Sequence, residues 1–131
     1  MKAEVSLVES LKFNVYVNEK HNVTVDADRN AAPSSMDYIL VGLGSCTAIS
    51  IVSILRRMHE IVTGFMVEIE SEQANDPPRV FTKIKLKYVA SGVVDENNLK
   101  KAIDLTFEKY SPSAVMLHRA GVLLEKTYAL I

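Results

Sequence analysis

Cys46 is the only cysteine in this sequence, and the side chain on which any nucleophilic or redox chemistry would have to rest. A thiol reacts as the thiolate, so it needs a neighbour that holds negative charge. Burial among apolar groups alone raises its pKa and leaves it inert. Arg29, Arg56, Arg57, His118 and Arg119 are the cations that folding would have to bring to it. By spacing alone, a lone cysteine in an apolar helix reads as a small buried hydrophobe. One cysteine also excludes an intramolecular disulfide.

Other chemistries find less support. His21, His59 and His118 show no metal-ligand spacing with one another or with Cys46, so no metal site is expected. Gly42-Leu43-Gly44 starts like a dinucleotide fingerprint, but the third glycine position is Thr47, and the glycines fall inside a helical run rather than in a strand-to-helix turn. No serine sits in a nucleophile-elbow pattern. Asp37 stands without a second carboxylate. The net charge of −1 gives no global basic field for nucleic acid or an anionic membrane.

The element that must position Cys46 is the stretch Ser34–His59. Ser34 followed by Asp37 is a capping-box spacing, and Pro33 keeps Ala32 out of helical geometry, so the helix starts after it. Tyr38–Leu55 then carries no charge, and Arg56, Arg57 and His59 close the run where the helix dipole favours cations. The run reaches the lower length limit of a membrane span. Gly42, Gly44, Ser45, Thr47, Ser50 and Ser53 dilute it, so the expectation is a core helix of a soluble, cytoplasmic protein. With no polar face of any width, the helix should be enclosed on nearly all sides.

The rest of the chain reads as its wrapping. At 131 residues, 48% apolar and 24% charged, it has the size and composition of one globular domain, 1–131. Lys2 and Glu4 interrupt an N-terminus that alternates like a strand, so no signal peptide is expected. Residues 2–28 alternate at period two, with turns at Glu9-Ser10 and Asn18–Lys20, as in a three-stranded meander. Thr63-Gly64 closes the helix region. Residues 65–72 and 80–90 form a hairpin across Asn75–Pro78, with Val80, Ile84, Leu86 and Tyr88 on its apolar face. Pairing Glu70 with Lys83 and Glu68 with Lys85 would make the other face self-neutralising. Asp95 caps a helix running to Tyr110, Ser111-Pro112 caps a shorter one ending at Gly121, and residues 122–131 form a last strand.

Two segments then carry a family resemblance. Met36–Leu55, with Gly44-Ser45-Cys46-Thr47 at its centre, resembles the central helix of the OsmC/Ohr family, the osmotically induced and organic hydroperoxide resistance proteins. Glu108–Leu117 resembles that family's second active-site motif, and Pro77–Phe81 before the Lys-rich strand also fits. The resemblance covers nearly the whole chain in order. It implies an α+β fold built as an intertwined homodimer, with antiparallel sheets of both subunits wrapped around long central helices and sites at the interface.

The resemblance also implies chemistry. In the family a thiolate on the central helix attacks a peroxide, a second cysteine condenses with the resulting sulfenic acid, and an external dithiol reduces the disulfide. An arginine holds the thiolate and a glutamate orients the arginine. Cys46 falls at the peroxidatic position, but the resolving position is Ser111, and a hydroxyl cannot form that disulfide. The glutamate position falls at Met36, with Asp37 one residue later, about 100° round the helix. Arg29 is the nearest arginine by position. Two readings follow. One is a one-cysteine reductase of small organic hydroperoxides that uses an external thiol or dithiol and no cofactor. The other is a non-catalytic dimer in which Cys46, Ser111, Met36 and Asp37 line a pocket for an apolar ligand.

Overall fold

The computed structural model describes all residues, Met1–Ile131. They form two compact units, Met1–Val41 and Gly42–Ile131.

The first unit is the expected meander. β1 (Ala3–Glu9), β2 (Lys12–Val17) and β3 (His21–Asp26) pair antiparallel in the order β1-β2-β3. Both connections are tight turns with left-handed residues, Ser10 in one and Asn18 and Glu19 in the other. The Asp26 carboxylate organises the next loop by accepting the Asp28 and Ala31 N–H groups, both at 3.0 Å. Helix α1 (Ser35–Arg57) then begins at a reciprocal capping box. The Asp37 N–H donates to Ser34 Oγ at 3.2 Å, and the Ser34 N–H donates back to Asp37 Oδ2 at 2.9 Å.

The second unit holds a mixed sheet in the order β4-β5-β6. β4 (Ile61–Gln73) and β5 (Phe81–Val93) form a long antiparallel hairpin. β4 starts at Ile61, before Thr63-Gly64, because the helix stops at Arg57 and His59 turns the chain in a left-handed conformation. The register also differs from expectation. Glu68 faces Lys87, Glu70 faces Lys85 and Glu72 faces Lys83, a shift of two residues that leaves the same side chains outward. The face is self-neutralising as expected, through different partners. Val80 precedes the strand and is exposed, while Phe81 joins Ile84, Leu86 and Tyr88 in the core.

Three further elements complete the unit. α2 (Glu96–Leu105) is capped by Asp95, whose carboxylate accepts the Asn98 N–H. A single π-helical turn, Thr106–Tyr110, follows where a continuous α-helix was expected. α3 (Pro112–Arg119) starts at Ser111 and ends at Gly121, whose φ of +93° suits a residue without Cβ. β6 (Leu123–Leu130) then pairs parallel with β5, so the sheet is mixed rather than antiparallel throughout. A parallel neighbour needs a crossover, and α2, the π-turn and α3 supply it.

In this unit α1 lies on the sheet through a small-residue face. A Cβ at Gly44 would sit 3.6 Å from Val67 Cγ1, ordinary contact distance. The buried Tyr88 hydroxyl donates to Thr47 Oγ1 at 2.7 Å, and Thr47 in turn donates to Leu43 O. By length and composition α1 is apolar enough to cross a bilayer, yet Leu43, Ile51 and Leu55 are fully buried in the protein. Enclosure is incomplete within one chain: Val41 is 56% and Ile49 68% exposed.

Candidate active site around Cys46

The sequence places Ser111 and Cys46 far apart, and the fold joins them. Thr106–Tyr110 adopts a π-turn closed by the Ser111 N–H donating to Thr106 O at 2.9 Å. The wider turn adds a residue to the helical path and changes the direction of the chain entering α3. It is tied to α1 by Thr106 Oγ1, which donates to Ser50 Oγ at 3.1 Å. Ser111 emerges fully buried beneath the central helix, where its Oγ donates to Cys46 Sγ at 3.1 Å. The same oxygen caps α3 by accepting the Ala114 N–H at 3.3 Å.

Ser113, the second residue of α3, is the site residue that sequence reasoning missed. Its hydroxyl lies 3.3 Å from Ser111 Oγ. Partial burial pushes the Cys46 thiol up, but hydrogen bonds from the Ser111 hydroxyl, the Ser113 hydroxyl and the Ser113 N–H outweigh it. The net result is a thiol below its ordinary pKa. The start of α3 adds donors and a positive dipole end on the same side. Ser111-Pro112-Ser113 carried a legible signal, an N-cap with N–H groups behind it; what the sequence lacked was the direction in which it points.

Cys46 opens onto a cleft of about 350 Å³ lined by Ile49, Ser50, Ser53, Arg57, Tyr110 and Pro112. A larger groove of about 600 Å³, between the π-turn, α3 and β6, holds His118 and Glu108 but no strong nucleophile.

The other expected site residues lie in the first unit. The Arg29 guanidinium grips Asp37 with two hydrogen bonds, Nε to Oδ2 at 2.7 Å and Nη2 to Oδ1 at 3.2 Å. This contact, with the Ser34 N–H and hydroxyl, draws the Asp37 carboxyl down to about 2. Arg29 is raised in turn by the same carboxylate. Asp37, one step round the helix from Met36, is therefore the acid that orients Arg29, and the half-buried Met36 takes no part in the pair. No grouping of His, Cys, Asp and Glu here could hold a metal ion.

A thiol held below its ordinary pKa at a helix-to-helix contact of an α+β fold defines a candidate thiol-redox protein. Comparison with known proteins places it further. A profile of OsmC-like proteins matches residues 25–125, and the chain belongs to that family. It is 35% identical over 122 residues to Protein YhfA of Escherichia coli K12, covering 92% of this chain and 91% of that one. Its fold is similar to the crystal structure of a hypothetical protein from Aquifex aeolicus VF5, with a TM-score of 0.90 at 23% identity over 99% of this chain and 95% of the other. It is also similar to an organic hydroperoxide resistance protein OsmC from Legionella pneumophila, with a TM-score of 0.74 at 12% identity over 98% and 97% of the two chains.

Proposed function

We propose that this protein is a one-cysteine, thiol-dependent reductase of small organic hydroperoxides, acting as a homodimer in the cytoplasm. The observation that carries this reading is the set of hydrogen bonds from Ser111 and Ser113 that favours the Cys46 thiolate. In the first step the thiolate sulfur attacks the outer peroxide oxygen. The O–O bond breaks, the alkoxide leaves and takes a proton, and Cys46 becomes a sulfenic acid, oxidised by two electrons. Ser111 cannot trap that sulfenic acid as a disulfide. An external thiol therefore attacks the sulfenic sulfur, water leaves, and a second thiol cleaves the mixed disulfide to restore Cys46. No cofactor enters. Arg29, preset on Asp37, is the nearest arginine by position for the thiolate-holding role in the family.

The dimer is supported by unpartnered apolar surface. In the first unit Val5, Leu7, Val8 and Leu11 are exposed, and in the second Ile49, Met66 and Val93. Such surface on one chain marks an interaction face. A second copy would supply the enclosure that one chain leaves incomplete around α1.

The test is consumption of cumene hydroperoxide with excess dithiothreitol, with sulfenic acid at Cys46 trapped by dimedone and read by mass spectrometry. Turnover and the adduct should both vanish in Cys46→Ser, and Arg29→Ala should slow the attack. A protein that binds apolar ligands but forms no adduct above the Cys46→Ser background would be a ligand-binding module, and the peroxidase reading would fall.

A further inference from the structure

The hydroxyls beside Cys46 can be followed proton by proton. A serine hydroxyl has one proton to give and two lone pairs with which to accept. Ser111 Oγ meets Cys46 Sγ at 3.1 Å, Ser113 Oγ at 3.3 Å and the Ala114 N–H at 3.3 Å. The Ala114 N–H can only donate, so it occupies one lone pair in every state. One proton and one lone pair are left for Cys46 and Ser113. A thiolate can only accept, so Ser111 then donates to sulfur and accepts from Ser113. A thiol pointed at Ser111 donates, so Ser111 then passes its own proton toward Ser113. Between the two serines either oxygen can be the donor, as both states require.

The two patterns share one set of heavy-atom positions. Ser111 is fully buried, its N–H is held by Thr106 O at 2.9 Å, and its carbonyl accepts the Val115 N–H at 3.1 Å. They differ only in that each proton has moved along one bond: from sulfur to Ser111, from Ser111 to Ser113, and from Ser113 outward. They are the start and the end of a proton relay. Every link lies within one chain, so the relay is present whether or not a second copy covers α1. The hydroxyl and N–H of Ser113 also favour the thiolate, so Ser113 stands beside the sulfur and not merely behind Ser111.

We infer that Ser111 and Ser113 carry the Cys46 proton to the alkoxide that leaves the hydroperoxide, with Ser113 as the residue that delivers it. This rests on the proposed reductase reading. The oxygen that leaves is joined to the oxygen that sulfur attacks, so its proton donor must stand beside the sulfur without being spent on it. Ser111 is spent on it and enclosed; Ser113 is neither. The thiol gives its proton to Ser111 as Ser111 gives its own to Ser113 and Ser113 gives its own to the leaving oxygen. The thiolate so formed takes the outer peroxide oxygen together with its hydrogen. The O–O bond breaks, sulfur is oxidised by two electrons to the sulfenic acid, and the alcohol departs neutral. Afterwards Ser113 donates to Ser111 and Ser111 to sulfur, the second of the two patterns.

The experiment compares two oxidants of similar size, ethyl hydroperoxide and peracetic acid. The first expels an alkoxide, which must be protonated; the second expels a carboxylate, which is stable at neutral pH without a proton. The rate of Cys46 sulfenic acid formation in a single turnover is read by dimedone trapping and mass spectrometry. The thiolate share of Cys46 enters both rates alike, so the ethyl-hydroperoxide-to-peracetate rate ratio isolates proton delivery. Ser113→Ala should lower that ratio by about a hundredfold, the lower end of what a positioned general acid contributes. Ser113→Thr, which keeps the hydroxyl, should restore most of it. Ser111→Ala should lower the ratio as well, and the double variant should fall little further, because both residues serve one relay. In the unaltered protein the solvent deuterium isotope effect should be larger for ethyl hydroperoxide than for peracetic acid, which keeps the test open if a variant fails to fold. A ratio unmoved by Ser113→Ala, or equal isotope effects for the two oxidants, overturns the relay, while the adduct formed in the same samples leaves the reductase reading intact. An unaltered protein that gives an adduct with peracetic acid but none with ethyl hydroperoxide removes the reductase reading and the relay with it.

Discussion

The Ser111 hydroxyl donates to the Cys46 sulfur at 3.1 Å across 65 residues of sequence. The same oxygen is held from behind by the Ala114 N–H, and the Ser111 N–H is committed to Thr106 O. The donor at Cys46 is thus fixed by backbone on both sides and aimed at the sulfur.

Removing that donor should raise the thiol. In Ser111→Ala the raising effect of burial meets only the Ser113 groups, so the pH at which iodoacetamide alkylates Cys46 half-maximally should move up. Alkylation at neutral pH should slow by about tenfold, the scale of one hydrogen bond to a charged acceptor. An unchanged pH profile in a folded Ser111→Ala protein would show that the bond does not stabilise the thiolate.

Replacing the hydroxyl with sulfur should convert the site. Ser111→Cys should form a disulfide with Cys46 on peroxide treatment, seen as a loss of two hydrogens by mass spectrometry, and dithiol-driven turnover should rise. Bridged Cα atoms lie about 4.4–6.8 Å apart, a narrow window that side chains already in hydrogen-bond contact favour. A disulfide formed by added oxidant without hydroperoxide consumption would point to a ligand-binding module.

Subunit association should be sensitive to the outer strand. Sedimentation at low micromolar concentration should show a dimer. Leu7, 62% exposed within one chain, can take a charge at little cost to the fold, so Leu7→Lys should shift the protein toward folded monomer. A monomeric unaltered protein would remove the dimer reading.

Acid stability should carry the signature of Asp37. Its carboxyl titrates at about 2 when folded, against about 3.9 in an unfolded chain. Between those values the unfolded chain binds more protons, so this contribution is complete above about pH 4 and is lost as pH falls toward about 2. The urea midpoint of Asp37→Asn should lie below that of the unaltered protein by a constant margin from pH 7 to pH 5, and the margin should close by about pH 2. A margin independent of pH down to that point would exclude the Arg29–Asp37 pair as its source.

Periodicity and capping made most of the fold legible. The Ser34–Asp37 and Ser111-Pro112 signals located two helix starts because each is satisfied within a few residues. The alternation of β1–β3 and of the charged hairpin likewise located the strands. Register escaped the hairpin because Glu and Lys recur every second residue, so a two-residue slip satisfies the same charges; the turn and the bulge at Glu72/Gln73 decide it. The π-turn escaped because Thr106, Phe107 and Tyr110 keep ordinary helical spacing. The parallel placement of β6 is a tertiary choice without a local code. In the site, resemblance gave Cys46 and Ser111. Ser113 became visible only once the start of α3 and one face of α1 bounded the same space.

Position 111 is held by its own N–H, bonded to Thr106 O, which involves no γ atom; only the cap of α3, accepted at Oγ, would weaken if sulfur replaced oxygen. On the proposed reductase reading, a Ser111→Cys exchange alone would supply a resolving thiol within the existing fold. On that reading the exchange would change how the sulfenic acid is resolved, while the electrons would still come from an external thiol.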